Sequence, residues 1–216
     1  MKTLTTFRYV PSFAVGHVRD LRVRWALEEA GMPYDVRLIG PEDQGSPAYR
    51  RQQPFGQVPV LQDGELTLFE SGAILLHLGD RSPALLPTDP ASRAQATMWM
   101  FAALNSVEPD IGNLANLLFF EAHEAWAAER QPVLEEMAVK RLRDLDAWLA
   151  GRDYLAGHFT VADILMTTVL RLLDETDFVA RFPTLHAYYD RCSARPAFRK
   201  SLAAQVALYS EATAPE

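Results

Sequence analysis

A chain of 216 residues, 49% of them hydrophobic, has enough apolar material for one large or two small folded domains. Its 28 acidic side chains outnumber its 21 basic ones, and the net charge of -7 argues against a nucleic-acid backbone or an anionic membrane as the main partner. A single cysteine, Cys192, rules out an internal disulfide framework and any Cys-x-x-Cys redox or zinc site. No apolar run approaches the length of a membrane span, and Met1-Lys2-Thr3 leads straight into a strand rather than a signal segment, so a cytoplasmic protein is expected.

Thr3 to Phe7 is β-branched and aromatic and predicts a first strand, followed by a loop from Arg8 to Gly16 that carries Pro11 and Gly16. Arg19 to Gly31 predicts a helix, with Leu21, Trp25 and Ala26 at helical spacing and Gly31 as its stop. Tyr34 to Ile39 alternates and predicts a second strand, which makes a right-handed parallel β-α-β unit, and a short helix is expected near Pro47 to Gln53. Val58 to Leu61, the turn Asp63-Gly64 and Glu65 to Phe69 form a hairpin. Pro59 cannot donate to a ladder, so its strand lies at an edge or its bond is unusual, that is cis. In either case Val58 offers free main-chain groups to an added peptide. Ser71 then caps a helix running to about Leu78, where the hydroxyl and the helix N-terminus suit a carboxylate and Glu70 suits an ammonium group.

Asp80 to Pro90 is proline-rich and reads as a linker, placed at 81–90, between a first domain at 1–80 and a helical one at 91–216. Within the latter, Pro109 is expected to kink or split a long helix over 91–120. Further helices are expected at about Gln131 to Leu149, Thr160 to Leu173, Phe182 to Arg191 and Pro196 to Tyr209, before a polar tail from Ser210 to Glu216. Phe159-Thr160-Val161-Ala162-Asp163-Ile164 is a capping box with a hydrophobic staple. Trp99, Phe101, Phe119 and Phe120 fall at helical spacing and read most simply as core. The histidines His17, His77, His123, His158 and His186 show no i, i+4 pair, so no metal site is expected.

The joint order of Gln57-Val58-Pro59 and Glu70-Ser71-Gly72 resembles the glutathione-binding half of the cytosolic glutathione transferases. That resemblance, over about Thr3 to Leu202, implies an α/β plus all-α chain with an N-terminal thioredoxin-like domain followed by a helical bundle. It implies that Val58, before a cis Pro59, pairs with the cysteinyl main chain of glutathione, that Gln57 helps hold the tripeptide, and that Glu70 and Ser71 hold its γ-glutamyl end. It also implies glutathione as co-substrate, with no metal or organic cofactor. The second partner is then a small apolar electrophile in a pocket lined by residues such as Met100, Asn105 or Asn116, and the assembly a homodimer. The expected chemistry is attack by the glutathione thiolate on that electrophile. The alternatives are a non-catalytic binding or regulatory protein, or an isomerase, dehalogenase or peroxidase using the same cleft.

The chain departs from its relatives at the thiol. Counting back without gaps from Arg24-Trp25 puts Phe13 where a catalytic tyrosine belongs, and the count for serine- and cysteine-type enzymes gives His17, Val18 and Arg19. A longer loop could instead bring Tyr9 or Ser12 into place. Arg19, in the first turn of the helix, carries a permanent positive charge that suits a thiolate, and its ordinary role would be a surface ion pair with Asp20. Arg19, Ser12 and Tyr9 are therefore the candidate catalytic residues.

Overall fold

The computed structural model describes residues 1–210, so the predicted tail beyond Ser210 lies outside the described residues. The chain forms two compact units, one of residues 1–86 with the segment from Arg195 onward, the other of residues 87–194.

The first unit is built on four strands, β1 (Lys2–Phe7), β2 (Tyr34–Ile39), β3 (Val60–Asp63) and β4 (Leu66–Phe69), in the order β2-β1-β3-β4. β1 runs parallel to β2 and antiparallel to β3, and β3 antiparallel to β4. Leu4, Thr5 and Thr6 of β1 are all buried, so both faces of this strand are covered, as expected of a strand inside a layered α/β unit. The helices are α1 (Asp20–Glu29), the short α2 (Pro41–Gln44) and α3 (Pro47–Arg50), α4 (Ser71–Gly79) and the last helix of the chain, α10 (Pro196–Ser210). This is the thioredoxin-like arrangement that the resemblance implied.

Of the two alternatives for Pro59 the cis one holds, since the Val58–Pro59 bond is cis, while β3 is an interior strand that begins at Val60 and not at Val58. Two further local expectations are corrected. The rung Asp63↔Leu66 closes the hairpin around Gly64-Glu65, one residue later than predicted, with Gly64 at φ +64° supplying the left-handed position that such a turn needs. Ser71 is the first helical residue of α4 and not its cap. Glu70 holds the cap position at φ +67°, and its carbonyl accepts from Ile74 N at 2.9 Å.

Helix α1 is buried from Asp20 through Leu27, not along a single stripe. The reason is α10, which packs along it: Phe198 lies against Trp25 at 4.7 Å between ring centroids, and Arg195 grips the Glu29 carboxylate with Nε at 2.6 Å and Nη2 at 2.8 Å. The sequence division gave all of 91–216 to one helical domain, whereas this last helix belongs to the unit that contains the sheet.

The second unit contains α5 (Pro90–Ala102), α6 (Glu108–Asn116), α7 (Ala127–Leu149), α8 (Val161–Leu170) and α9 (Pro183–Ser193). The long helix is split as expected near Pro109, but the break is a π turn over Ala103–Val107 just upstream, and Pro109 itself sits in the first turn of α6. Because Pro109 has no N–H, the Asn105 carbonyl loses its i+4 donor, and the wide turn falls where that bond is missing. A second π turn spans Leu117–Glu121. Ala96, Met100, Ala103, Val107, Ile111 and Leu114 fill the core, while Trp99 is half-buried and Phe101, Phe119 and Phe120 are exposed, contrary to the core reading. Met100 is buried, and Asn105 and Asn116 are exposed. Thr160 and Asp163 form the predicted capping box ahead of α8, with Thr160 N donating to Asp163 Oδ2 at 2.8 Å. Among the described residues no helix is long and apolar enough to cross a membrane.

Candidate functional site

The rung Val60↔Phe69 fixes where the predicted binding residues meet. Val58 and Pro59 lie just before Val60, and Glu70 and Ser71 just after Phe69, so all four arise at one end of the hairpin. β1 is antiparallel to β3 through Thr5↔Val60, so its C-terminal end and the loop that leads to α1 arise at that same end. The starts of α1 and α4 are joined there by a hydrogen bond, Arg22 Nη1 donating to Ser71 Oγ at 3.2 Å. Two helix N-termini, whose first N–H groups have no intrahelical acceptor, and the buried Arg22 guanidinium together give this end of the sheet a positive character suited to an anionic ligand.

Val58 lies past the last rung on β3, and among the described residues its main-chain N–H and C=O take part in no hydrogen bond. Its side chain is buried with Ile39, Tyr49 and Val60, which fixes the residue by packing rather than by pairing. The loop before it is gripped by α2 and α3. Arg50 Nη1 donates to Pro54 O at 2.8 Å, Gln44 Nε2 to Gly56 O at 3.1 Å, and Tyr49 Oη to Gln57 O at 2.6 Å, while Phe55 N donates to the buried Gln53 Oε1 at 2.6 Å. Gly56, at φ +67°, lies so close to this scaffold that a Cβ there would meet Arg50 Cζ at 2.8 Å and Gln44 O at 2.9 Å. Burial pushes the Tyr49 hydroxyl up to about 12, so it stays a donor at any working pH.

Glu70 is exposed, and a non-glycine residue at φ +67° is held there only by its surroundings, here the end of β4 on one side and the first turn of α4 on the other. Glu70 directly follows the last residue of β4. Gln57, next to Val58 in sequence, is exposed, and Ser71 is buried.

Over most of its length the chain is similar to known proteins. A family model described as Glutathione S-transferase, N-terminal domain, matches residues 13–80, and one for the C-terminal domain matches residues 107–196. Glutathione S-transferase 4 of Zea mays is 33% identical over 191 residues, covering 83% of this chain and 85% of the maize protein. The chain belongs to the glutathione S-transferase family. Among solved structures, a theta class glutathione S-transferase from Xanthomonas axonopodis pv. citri with glutathione bound is 31% identical, with a TM-score of 0.78 over 93% of this chain and 96% of that one. A glutathione transferase from Pseudomonas putida with glutathione disulfide bound is 26% identical, with a TM-score of 0.80 over 93% of this chain and 90% of that one.

The candidate thiol-activating residues of this transferase-family chain lie on the β1–α1 loop. Tyr9 is half-buried, Ser12 is exposed at the start of a single 3-10 turn over Ser12–Ala14, and Arg19 is exposed at the residue before α1. Asp20 does not serve as the surface partner of Arg19 in the way an ordinary ion pair would. It is fully buried, with Oδ2 accepting from Arg24 Nε at 2.6 Å and Oδ1 from Gln205 Nε2 at 2.5 Å, and the same Gln205 nitrogen donates to Val18 O at 3.1 Å. Burial pushes the Asp20 carboxyl up, against the pull of Arg24 and Gln205. α10 thereby anchors both Val18 of the loop and Asp20, the first residue of α1.

Arg22, Tyr49, Gln44, Arg50 and Gln205 shape this end of the fold, and sequence reading picked out none of them for it. The alternation Arg22-Val23-Arg24 inside an apolar helix was the one visible signal, since two arginines among buried neighbours need buried partners. Among the described residues no three His, Cys, Asp or Glu side chains gather where a metal ion could be held.

Proposed function

We propose that this chain binds glutathione at the Val58–Glu70–Ser71 end of its sheet and transfers it to a small apolar electrophile. The observation that carries the reading is the convergence, through the Val60↔Phe69 register, of an unladdered main chain with a carboxylate and an anion-favouring helix start. Val58 N–H and C=O pair with the cysteinyl main chain of the tripeptide, Glu70 takes its ammonium group, and Ser71 with the first N–H groups of α4 takes the γ-glutamyl carboxylate. Gln57 adds a side-chain contact. Strong family matches and relatives of this fold with glutathione bound support the assignment.

A free thiol titrates near ~8.5, so only a few per cent is thiolate at neutral pH and the protein must stabilise the anion. Arg19 and the N-terminus of α1 supply positive potential, and the hydroxyl of Ser12 or Tyr9 donates a hydrogen bond to the sulfur. The thiol proton leaves to solvent, the sulfur attacks the electrophilic carbon, and the displaced group departs with the electron pair of the broken bond. The test is thiolate absorbance of enzyme-bound glutathione against pH in wild type, Arg19→Ala, Ser12→Ala and Tyr9→Phe. The expected result is a wild-type value below that of free glutathione, raised in Arg19→Ala and in one hydroxyl variant. Glutathione binding with an unlowered thiol would replace this reading with a non-catalytic binding protein, and absence of binding would remove both.

A further inference from the structure

Among the contacts that grip the loop from Pro54 to Pro59, one acts on the very peptide plane that Val58 offers to a ligand. Tyr49 is buried, 1% exposed, at the core of a cluster with Ile39, Val58 and Val60, so its ring has a fixed position. Its hydroxyl donates to the Gln57 carbonyl at 2.6 Å. That carbonyl and the Val58 N–H belong to one planar peptide group. The cis bond is the next one along, Val58–Pro59, so the Gln57–Val58 peptide is trans and its C=O and N–H point in opposite directions. Pulling the carbonyl toward α3 therefore turns the Val58 N–H away from α3. The ladder stops at Val60, so no strand competes for that N–H. Arg50 and Gln44 hold other carbonyls of the loop, those of Pro54 and Gly56, and leave this plane to Tyr49.

We infer that Tyr49 is a positioning residue for ligand binding, which through the Gln57 carbonyl directs the Val58 N–H at the main-chain carbonyl of a bound peptide. This rests on the reading above, in which that peptide is glutathione. Tyr49 does not touch the ligand. It fixes a donor in advance, so that binding does not also have to order it.

Tyr49→Phe keeps the ring that fills the core and removes only the hydroxyl. Three quantities are measured in the full chain: the glutathione Kd by calorimetry, kcat at saturating glutathione, and exchange protection of the Val58 amide by 15N NMR with and without glutathione. In wild type, glutathione protects that amide. In Tyr49→Phe the Kd rises about five- to tenfold, the net loss of one hydrogen bond. Protection at Val58 falls, and kcat stays unchanged. Gln44→Ala, which loosens the same loop at Gly56, leaves glutathione-induced protection at Val58 in place. An unchanged Kd in Tyr49→Phe overturns the inference, as does weaker binding with Val58 protection intact, or an equal loss of protection in Gln44→Ala. A wild type that binds no glutathione takes down the functional reading and this inference together, whereas wild-type binding with an indifferent Tyr49→Phe takes down this inference alone.

Discussion

Replacing Asp163 with alanine should destabilise the helical unit by several kcal/mol. Its buried carboxylate accepts four hydrogen bonds: Leu155 N and Tyr188 Oη on Oδ1 at 3.1 and 3.0 Å, and Thr160 N and Oγ1 on Oδ2 at 2.8 and 3.3 Å. Truncation strands two main-chain N–H groups and one phenol inside the protein. At about 1–3 kcal/mol for each buried donor left unmade, and with partial relaxation, the loss is roughly 3–5 kcal/mol, a large share of the ~5–15 kcal/mol that holds a typical domain. Equilibrium urea unfolding followed by tryptophan fluorescence reads this directly as a lower midpoint at unchanged slope. A loss below about 1 kcal/mol would show that the box is ornamental and refute the reasoning.

The same residue supplies a pH signature. Burial pushes the Asp163 carboxyl up to about 6, from 3.8 in an unfolded chain, in spite of its four donors. The folded protein therefore holds a proton that the unfolded chain releases between those values. That contribution is fully present below pH 3.8 and is lost as the pH rises through about 6. Measured against Asp163→Asn, which does not titrate, the wild type loses about 2 kcal/mol of relative stability between pH 4 and 7. A flat difference across that range would mean that the donors offset the desolvation.

Glu70→Gly should separate stability from binding: glycine accepts φ +67° without strain, so the variant gains about 0.5–1 kcal/mol by thermal unfolding, while the lost carboxylate weakens glutathione binding about 5- to 30-fold by calorimetry, and equal affinity would remove Glu70 from the site. Gly56→Ala combines a left-handed φ with a Cβ 2.8 Å from Arg50 Cζ, so a loss of about 2–3 kcal/mol in chemical denaturation together with weaker glutathione binding is expected, and a silent variant would show that the loop yields freely. Phe55, Met98, Phe101, Phe119, Phe120, Val133 and Met137 are exposed apolar side chains, and a homodimer that covers part of them should give a light-scattering mass near twice 24.2 kDa, with a monomer mass at micromolar concentration counting against it.

The hairpin, the Thr160–Asp163 box and the order of strands and helices were legible because each is written in local residue chemistry, a turn glycine or a hydroxyl three residues before an acid, whereas the proline alone left a cis bond and an edge strand open and the family resemblance chose between them. What could not be read locally depended on pairing or distance. The turn slipped by one residue because the rung Asp63↔Leu66, and not the Asp-Gly dipeptide, sets it. Ser71 looked like a cap because serine usually is one, and nothing in the sequence says that a glutamate will accept a left-handed φ so that Ser71 can meet Arg22. Phe101 and Phe119 fall at helical spacing yet are exposed, because spacing alone does not say which of two apolar faces is covered. Of the site, the residues that would touch a ligand were named from the chain, whereas Tyr49 and Gln205 act through main-chain carbonyls that leave no trace in side-chain patterns.

The last helix ties itself to α1 and β1 along its length, with Arg195 on Glu29, Lys200 on Glu28 at 2.6 Å, Gln205 on Asp20 and Tyr209 on Thr6 at 3.0 Å. During synthesis the sheet is made first, yet the helix that covers Trp25 and satisfies Asp20 is made after the other unit. The unit of residues 87–194 is continuous in sequence and can close while the chain is still growing. The sheet must wait, with the flank of α1 uncovered, until α10 has been made. Nascent chains stalled before residue 195 should accordingly protect the later-made unit from protease before the earlier-made one, a reversal of the usual N-terminal-first order.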